Sequence, residues 1–270
     1  MTRSPLAPDV GVTADNAGWR YLHFSVRTVS GVERLIGSGW EAAIVSIAGG
    51  AFRVGDLEVP GRESVWSGLP WAVYVPGDED MIEIEPLDRP VTLALASAPV
   101  STGQPAVDGP VRIGPEDVRV EVRGAGNATR QINHIITPDF PADRLEVVEV
   151  YTPSGNWSSW PPHKHDTDDM PREAILEEIY HYRFRRPEAW GIQRLYGGST
   201  DALIAVRDGD TVIVADGYHP FVATHGDDAY YLNALAGDLR TMACSFDPAL
   251  DHVRGEWASM RPDPRVPVVR

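Results

Sequence analysis

Short apolar runs separated by turn residues recur along the chain. Each run has about four to eight residues rich in Val, Ile, Tyr and Trp, and Gly, Pro or Asp separates it from the next. Runs of this length and composition are typical of β-strands. The strands predicted in this way include Ala42–Ile47, Trp71–Val75, Met81–Ile84, Val91–Ala96, Leu145–Tyr151, Thr211–Val214 and Ala229–Leu232.

The remaining pattern leaves little room for helix. Asp169–Leu176 is predicted to contain a short turn, and Asp247–Met260 is predicted to form one helix near the end. The tail Arg261–Arg270 has three prolines and is predicted to be an extended arm. The chain has 23 prolines and 25 glycines, which suits a sandwich or barrel better than a helical bundle. The fold class is therefore predicted to be all-β.

The two halves of the chain resemble each other weakly. Leu69–Met81 and Asp208–Pro220 each contain an apolar strand, a tight turn and a polar residue that starts the next strand. In this alignment Asp80 corresponds to His219. The likeness predicts a tandem duplication, with a linker at Ala98–Pro115, which is rich in Pro, Gly and Ser.

Length and composition restrict the class of protein. A chain of 270 residues, 43% of them hydrophobic, has room for two domains, which we place at residues 1–115 and 116–270. The formal net charge of −15 argues against nucleic acid and anionic membranes as partners. Cys244 is the only cysteine, so no internal disulfide is expected. A signal-like start and a long apolar run are both missing, so we expect a cytoplasmic protein, with homo-oligomers left open.

A pair of histidines provides the clearest chemical signal. His163 and His165 flank a single lysine, and residues two apart in a β-strand point to the same face. Glu178 and His219 follow in strand-like stretches, and a set of three His and one Glu suits a divalent first-row metal. The alternative is a chance His-x-His in an exposed loop, which the later Glu and His make less favourable.

These residues resemble the cupin arrangement, in which His-x-His, a Glu and a later His line a double-stranded β-helix barrel. The spacing departs from the usual pattern, because Glu178 lies thirteen residues after His165 instead of about four. The first half has one histidine, His23, and no His-x-His. The chain therefore resembles a bicupin, with a degenerate N-terminal cupin domain and a metal-binding C-terminal one that ends in the arm.

A closer resemblance is to the 5-deoxy-glucuronate isomerase family of bacterial myo-inositol catabolism. It covers nearly all the chain, and the insert between His165 and Glu178 is typical of that family. A related bicupin isomerase that acts on a pectin-derived uronate is expected to have Glu at the fifth residue after the second His. Here that residue is Met170, which favours the inositol branch. The segments that carry the resemblance are Gly155–Asp166, Leu176–Tyr180, Gly217–Pro220 and Tyr230–Asn233.

The resemblance implies a reaction and a cofactor. The substrate would be a small deoxy-uronic acid, 5-deoxy-D-glucuronate, and an aldose–ketose isomerisation would give 5-dehydro-2-deoxy-D-gluconate. One divalent metal ion, of Zn, Mn, Fe or Ni, would be bound by four ligands. The implied ligands are His163, His165, Glu178 and His219.

Other residues are predicted to complete the site. If Glu178 points into the barrel, Tyr180 and Tyr182 do too, where they either bond a sugar hydroxyl, relay a proton or act as core aromatics. Gln193 and Arg194 lie on the next predicted strand, Ile192–Tyr196, and point to opposite faces. Arg194 is the first candidate to bind the substrate carboxylate, and Arg183 or a surface ion pair are the alternatives. We therefore assign catalytic roles to Glu178, Tyr180, Tyr182 and Arg194.

Two further functions stay open at this stage. A cupin dioxygenase would use the same ligands with iron, and a non-enzymatic sugar-binding cupin would use them for recognition alone. Hydride transfer to a nicotinamide is disfavoured, because no glycine-rich dinucleotide fingerprint follows a strand. Acyl transfer is disfavoured because no Ser-His-Asp or Cys-His pairing is visible.

Overall fold

The computed structural model describes residues 11–101 and 107–270, and most of their regular structure is β. A short helix, α1 (Ala14–Ala17), precedes the first strand. The strands that follow are β1 (His23–Val29), β2 (Glu33–Ile36), β3 (Trp40–Gly49), β4 (Phe52–Val54), β5 (Leu57–Val59), β6 (Ala72–Val75), β7 (Met81–Pro86), β8 (Val91–Pro99) and β9 (Val111–Ile113).

The later part of the chain continues in the same way. Its strands are β10 (Arg119–Arg123), β11 (Arg130–Ile136), β12 (Leu145–Thr152), β13 (Trp157–Ser158), β14 (His163–Lys164), β15 (Leu176–Phe184), β16 (Trp190–Leu195), β17 (Ala202–Arg207), β18 (Thr211–Val214), β19 (Phe221–Ala223), β20 (Ala229–Gly237) and β21 (Ser245–Phe246). The seven strands predicted from the apolar runs are all confirmed. The chain ends with α2 (Val253–Glu256) and a 3₁₀ turn (Trp257–Ser259).

The chain divides into two compact units. The first comprises residues 1–119, 135–147 and 234–240, and the second comprises residues 120–134, 148–233 and 241–270. Four of the divisions fall within strands, namely β10, β11, β12 and β20. The single boundary expected between residues 115 and 116 stays a proposal.

The strand order of the first unit recurs in the second. In the first unit one sheet contains β1-β8-β3-β6 with β9 at its edge, and the other contains β2-β7-β4-β5. The corresponding series later in the chain are β12-β20-β15-β18, extended by β11 and β10, and β13-β19-β16-β17. Each four-strand series repeats with the same connectivity. This repeat confirms the tandem cupin fold, a double-stranded β-helix used twice.

The strand register shows which residue of the first unit corresponds to Glu178. On β3, Ala42 lies opposite Val75 of β6. On β15, Glu178 lies opposite Val214 of β18. Since β3 corresponds to β15 and β6 to β18, Ala42 occupies the position of the acidic side chain. A methyl group therefore stands in the first unit where the second unit has a carboxylate.

Apolar side chains fill the interior of the first unit. Ile44, Phe52, Ile84 and Leu93 are fully buried within one cluster there. Asp80, the sequence counterpart of His219, is exposed. Burial of such aliphatic and aromatic groups stabilises a fold by about 1.5–3 kcal/mol for each side chain. The interior of this unit is therefore packed as a core.

Two predictions about connections need correction. The linker predicted at Ala98–Pro115 is wrong at both ends, because β8 extends to Pro99 and Val111–Ile113 forms β9, which pairs with β6. Residues 102–106 of the predicted linker lie outside the described residues. The single helix predicted at Asp247–Met260 is wrong in length. The helical residues in this segment are not buried, so no apolar face stabilises a longer helix.

Among the described residues, the structure contains no helix long and apolar enough to span a membrane.

Candidate metal centre

Four predicted ligands come from three segments of the second unit. His163 lies on β14, opposite Phe246 of β21. His165 follows β14, and its carbonyl oxygen accepts the N–H of Leu176 at the start of β15. Glu178 lies on β15. His219 lies in the turn between β18 and β19, and its ring centre is 4.7 Å from that of His163.

The turn that carries His219 depends on glycine. Gly217 has φ +76°, and a Cβ there would lie 2.5 Å from the carbonyl oxygen of Tyr196. A residue with a side chain would be strained in this conformation and would also clash with the backbone. Asp166 accepts the N–H of Gly217 at 2.8 Å. Since Asp166 directly follows His165, this hydrogen bond ties together the two segments that carry these histidines.

A backbone carbonyl orients each of the three histidine rings. In each ring Nδ1 faces a backbone carbonyl, which can only accept, so Nδ1 carries the hydrogen. In a neutral ring Nε2 then has its lone pair free, as a metal ligand requires. The carbonyl acceptors are Pro161 at 3.4 Å from His163, Leu176 at 3.0 Å from His165 and Gly217 at 3.0 Å from His219.

The carboxylate of Glu178 lies between two of these Nε2 atoms. Its Oε2 is 2.9 Å from Nε2 of His165 and 3.2 Å from Nε2 of His219. Its Oε1 accepts a hydrogen bond of 2.6 Å from Nδ2 of Asn233. Asn233 also donates to the carbonyl oxygen of Ile179 at 2.9 Å. One amide therefore fixes both the carboxylate and the strand that carries it.

Electrostatics keep Glu178 ionised. Burial raises the pKa of this carboxyl, but His219 and His165 outweigh it and lower the pKa to about 2. Burial lowers the pKa of His163 well below its ordinary value and also lowers the pKa of His219. For His165, burial lowers the pKa, but the contact with Glu178 reverses the sign and leaves it raised. The cluster thus has one fixed negative charge facing three imidazoles.

The donor set fits a divalent metal ion. Ligand atoms of His165, Glu178 and His219 all lie within 4.8 Å of one another. Nε2 of His219 is buried and makes no hydrogen bond with any residue that the structure describes, which is the situation of a ligand nitrogen. Two or three imidazoles and one carboxylate suit Zn, Mn, Fe or Ni. His163 stands beside this group of three, ring to ring with His219.

Lys164 points to the insert between His165 and Glu178. Its Nζ donates to Oε1 of Glu173 at 2.9 Å and also contacts Asp166. Glu173 is 3% exposed and accepts the backbone N–H groups of Asp166 and Thr167. The insert therefore holds the His-x-His segment from outside the ligand cluster.

Three tyrosines line the interior next to the cluster. Oη of Tyr180 lies 2.9 Å from Oγ of Ser159, and Oη of Tyr231 lies 3.4 Å from the same atom. Ser159 has φ +48°, a strained conformation of the kind found at functional sites. Burial raises the pKa of Tyr180 and of Tyr182 well above the ordinary value, so both phenols are neutral.

Gln193 is an interior residue to which sequence reasoning gave no role. Oη of Tyr182 donates to Oε1 of Gln193, whose Nε2 donates to the carbonyl oxygen of His219 at 2.5 Å. The alternation on β16 was a usable signal, because it places Gln193 on the face opposite to Arg194. A buried amide thus connects an interior tyrosine to the backbone of a predicted ligand, His219.

Arg194 is not brought to the ligand cluster. Its Nη1 contacts Asp201, whose side chain is 79% exposed, and the carbonyl oxygen of Leu195 at 2.7 Å. Arg183 forms an ion pair of 2.9 Å with Asp208. Both arginines therefore form ion pairs away from the ligand cluster, which was the alternative left open by the sequence.

Two double-stranded β-helix units, one of them with a buried His–Glu–His donor set, define a bicupin with one candidate metal centre. The chain belongs to the KduI/IolB family, whose sequence model matches residues 2–253. This finding confirms the resemblance inferred from the motifs.

Individual relatives extend over most of the chain. The 5-deoxy-glucuronate isomerase of Geobacillus kaustophilus is 40% identical over 253 residues, which are 90% of each chain. That of Geobacillus thermodenitrificans is 38% identical over 92% of this chain and 90% of its own. The crystal structure of an IolB-like protein from Salmonella typhimurium LT2 has a TM-score of 0.84 at 33% identity, covering 92% and 95% of the two chains. Oxalate decarboxylase from Lactobacillus farciminis shares the fold, with a TM-score of 0.59, 11% identity and coverage of 87% and 82%.

Proposed function

We propose that this protein is a cytoplasmic 5-deoxy-glucuronate isomerase of myo-inositol catabolism, which converts 5-deoxy-D-glucuronate to 5-dehydro-2-deoxy-D-gluconate. The observation that carries the proposal is the 40% identity, over 90% of each chain, to a protein of that name. The buried donor set of the second unit supports it, because the chemistry needs a charge-stabilising site.

The reaction moves hydrogen and leaves the carbon skeleton intact. A proton leaves C2 of the open-chain aldehyde and C1 accepts one, while the hydroxyl hydrogen passes from the C2 oxygen to the C1 oxygen. Negative charge develops on these oxygens after the C2 proton has left. The site must therefore orient both oxygens, accept a proton and return one.

His163, His165, Glu178 and His219 are the residues that would hold one divalent ion. When bound, such an ion stabilises negative charge on substrate oxygens as a Lewis acid. The carbonyl acceptors of Nδ1 keep the three Nε2 atoms available for this role. The low pKa of Glu178 keeps its carboxylate charged across the physiological range.

Glu178, Tyr180 and Tyr182 are the residues proposed to position groups at the site and to transfer protons. The neutral phenol of Tyr180 can donate a hydrogen bond to a substrate oxygen, and Ser159 at 2.9 Å can pass a hydroxyl proton on. Glu178 is proposed to act as a ligand with a fixed negative charge, since a carboxyl with a pKa of about 2 is a poor acceptor for a carbon-bound proton. The Tyr182 hydroxyl is occupied by Gln193, so its role is to fix that amide.

The direct test is isomerisation of 5-deoxy-D-glucuronate by protein loaded with one metal at a time. We expect turnover with at least one of Zn, Mn, Fe and Ni, and its loss on chelation. In deuterated water, solvent deuterium should appear at the carbon that accepts the proton. No oxygen should be consumed, and oxygen uptake in step with substrate would favour the dioxygenase alternative.

A matched pair of variants separates chemistry from folding. Glu178→Gln should lower turnover far more than the folded fraction. Glu149→Gln alters another fully buried carboxylate of the same unit, one that accepts from Tyr230 at 2.8 Å, and should keep turnover per folded molecule. Sustained activity in metal-free protein would remove the metal from the mechanism, and inactivity with every metal would refute the proposal.

A further inference from the structure

A buried arginine of the second unit lies in the interior-facing row of β11. Arg130 precedes Ile132 by two residues, so their side chains share one face of the strand. Ile132 packs in the core cluster that contains Tyr180 and Tyr231. Arg130 itself is 5% exposed. The guanidinium is therefore at the edge of the interior that contains the candidate metal centre.

The fold provides Arg130 with few partners. Its Nη1 donates to the carbonyl oxygen of Ala128 at 3.1 Å, and its Cζ lies 5.8 Å from the ring centre of Trp257. Gly124 leaves room beside it, since a Cβ there would lie 2.9 Å from Nη1. Within the part of the chain that the structure describes, no carboxylate comes within ion-pair distance of this guanidinium.

Other basic side chains of the unit are neutralised by acids. Arg123 makes two hydrogen bonds to Glu121, at 2.7 and 2.9 Å. Lys164 is paired with Glu173, and Arg183 and Arg194 have the aspartate partners described above. Arg130 differs from these four in being deeply buried and in having no ion pair. The carboxylate of Glu121 favours its charge electrostatically, but that carboxylate is bonded to Arg123 and contacts His134.

A buried guanidinium without an anion is costly, because the charge has lost its hydration. Burial, together with the nearby Arg123, lowers the pKa of Arg130 to about 10. The group nevertheless remains charged at neutral pH. An anionic ligand that enters the interior would offset the cost, and the planar guanidinium can bind a carboxylate through two parallel hydrogen bonds.

Two tyrosines link the surroundings of Arg130 to those of the metal centre. Arg130 interacts electrostatically with the phenols of Tyr231 and Tyr180. The Tyr180 ring centre is 4.7 Å from that of Tyr231 and 6.0 Å from that of His219. In the proposed binding mode the substrate would lie along these two phenols.

We propose that Arg130 binds the substrate carboxylate, with the aldehyde end held at the metal centre. The inference rests on the proposed isomerase function, since it concerns the same site, and it assigns to Arg130 the role that the sequence gave to Arg194. It restricts the substrate class to open-chain acids with the carboxylate at the end remote from the aldehyde. The net charge of −15 disfavours anions in general, so this local positive charge would select them at the site.

The kinetic test compares an acid with a neutral substrate. The metal-loaded protein would be assayed with 5-deoxy-D-glucuronate and with 5-deoxy-D-glucose, which has the same carbon chain and no carboxylate. Arg130→Gln should lower kcat/KM for the acid by about 30-fold or more, mainly through KM, and change that for the neutral sugar by less than about threefold. Arg130→Lys should lie between. The exposed Arg207→Gln, with the same change in net charge, should match wild type.

A binding measurement separates this inference from the proposed function. Calorimetry with the C1-reduced alcohol of each sugar needs no turnover, because neither alcohol can isomerise. If wild type is inactive but binds the acid in preference to the neutral alcohol, and Arg130→Gln loses that preference, the isomerase proposal fails and the assignment of Arg130 stands. If wild type lacks the preference, the assignment is overturned.

Two further outcomes would contradict the proposal. Arg130→Gln could retain the preference for the acid, or Arg194→Gln could lose it, and either result would return the role to another residue. Thermal unfolding distinguishes a role of Arg130 in binding from a purely structural role. Replacing an unpaired buried charge should leave the melting temperature at or above that of wild type, with unchanged metal content, whereas a large drop with the preference retained would show that Arg130 only supports the fold.

Discussion

Replacement of Asn233 by alanine should weaken metal binding without unfolding the protein. The amide donates to the Glu178 carboxylate at 2.6 Å and to the carbonyl oxygen of Ile179 at 2.9 Å. A hydrogen bond to a charged group contributes about 1.5–3 kcal/mol, and one to a neutral group contributes about 1 kcal/mol. The free energy of unfolding should therefore fall by about 2.5–4 kcal/mol.

The effect on the metal follows from the orientation of the carboxylate. Without the amide, Glu178 Oε1 has lost the partner that holds Oε2 toward His165 and His219. Removal of a residue that orients a metal ligand typically costs 10- to 100-fold in affinity, or about 1.4–2.7 kcal/mol. Titration of metal-free protein with Zn²⁺ or Mn²⁺ against a chelating indicator would measure this loss directly.

Asn133 offers a matched control in the same unit. It is fully buried, and its Nδ2 donates to Glu149 at 3.3 Å, a carboxylate outside the ligand cluster. Asn133→Ala should lower stability and leave metal affinity within about twofold of wild type. The reasoning would be refuted if Asn233→Ala bound metal as tightly as wild type, or if both variants lost affinity equally.

Three other outcomes are expected. Tyr180→Phe should bind the metal as before and lose about 1 kcal/mol of stability, while kcat falls by at least about 100-fold. An unchanged kcat in steady-state assays would contradict the catalytic role of Tyr180. In chemical denaturation Gly217→Ala should lower the free energy of unfolding more than Gly155→Ala does. Both glycines have φ near +77°, but only at Gly217 would an added Cβ clash with the backbone. Equal losses would refute the steric argument. Burial lowers the pKa of His165, but its partner Glu178 raises it more, so the pKa is raised overall. The charged imidazolium therefore stabilises the metal-free fold at low pH, and this stabilisation is lost as pH rises through the pKa of His165. The increase in melting temperature on metal binding should therefore grow as pH rises, and a decrease across roughly pH 5 to 8 would refute this.

Local pattern was sufficient for the strands and for placing two predicted ligands on one face of a strand. The apolar runs depend on residues within one strand, so the seven predicted strands are found where the pattern placed them. His163 and His165 share a face through the two-residue period alone. The internal repeat also indicated the second barrel, because duplicated strands preserve their order of apolar and polar positions.

The alternation of side chains along a strand predicted which residues share a face, but it did not show which face is buried. It placed Gln193 and Arg194 on opposite faces of β16, but the pattern did not show which face is interior. Pairing of β16 with β17 and β19 decided this, and Gln193 is the buried residue. The predicted C-terminal helix failed for a related reason, since its residues found no surface on which to bury an apolar face.

The remaining features of the site come from residues far apart in sequence. Asn233 contacts Glu178 across 55 residues, and Arg130 precedes the first predicted ligand, His163, by 33 positions. The hydrogen that fixes each histidine tautomer is set by a carbonyl whose position depends on a turn or on the next strand. Sequence alone determined the chemical groups and their periodicity, because both are local properties of the chain. Only the tertiary structure decided which groups orient the ligands and which cation is left without an acid, because those depend on non-local strand pairing and on burial.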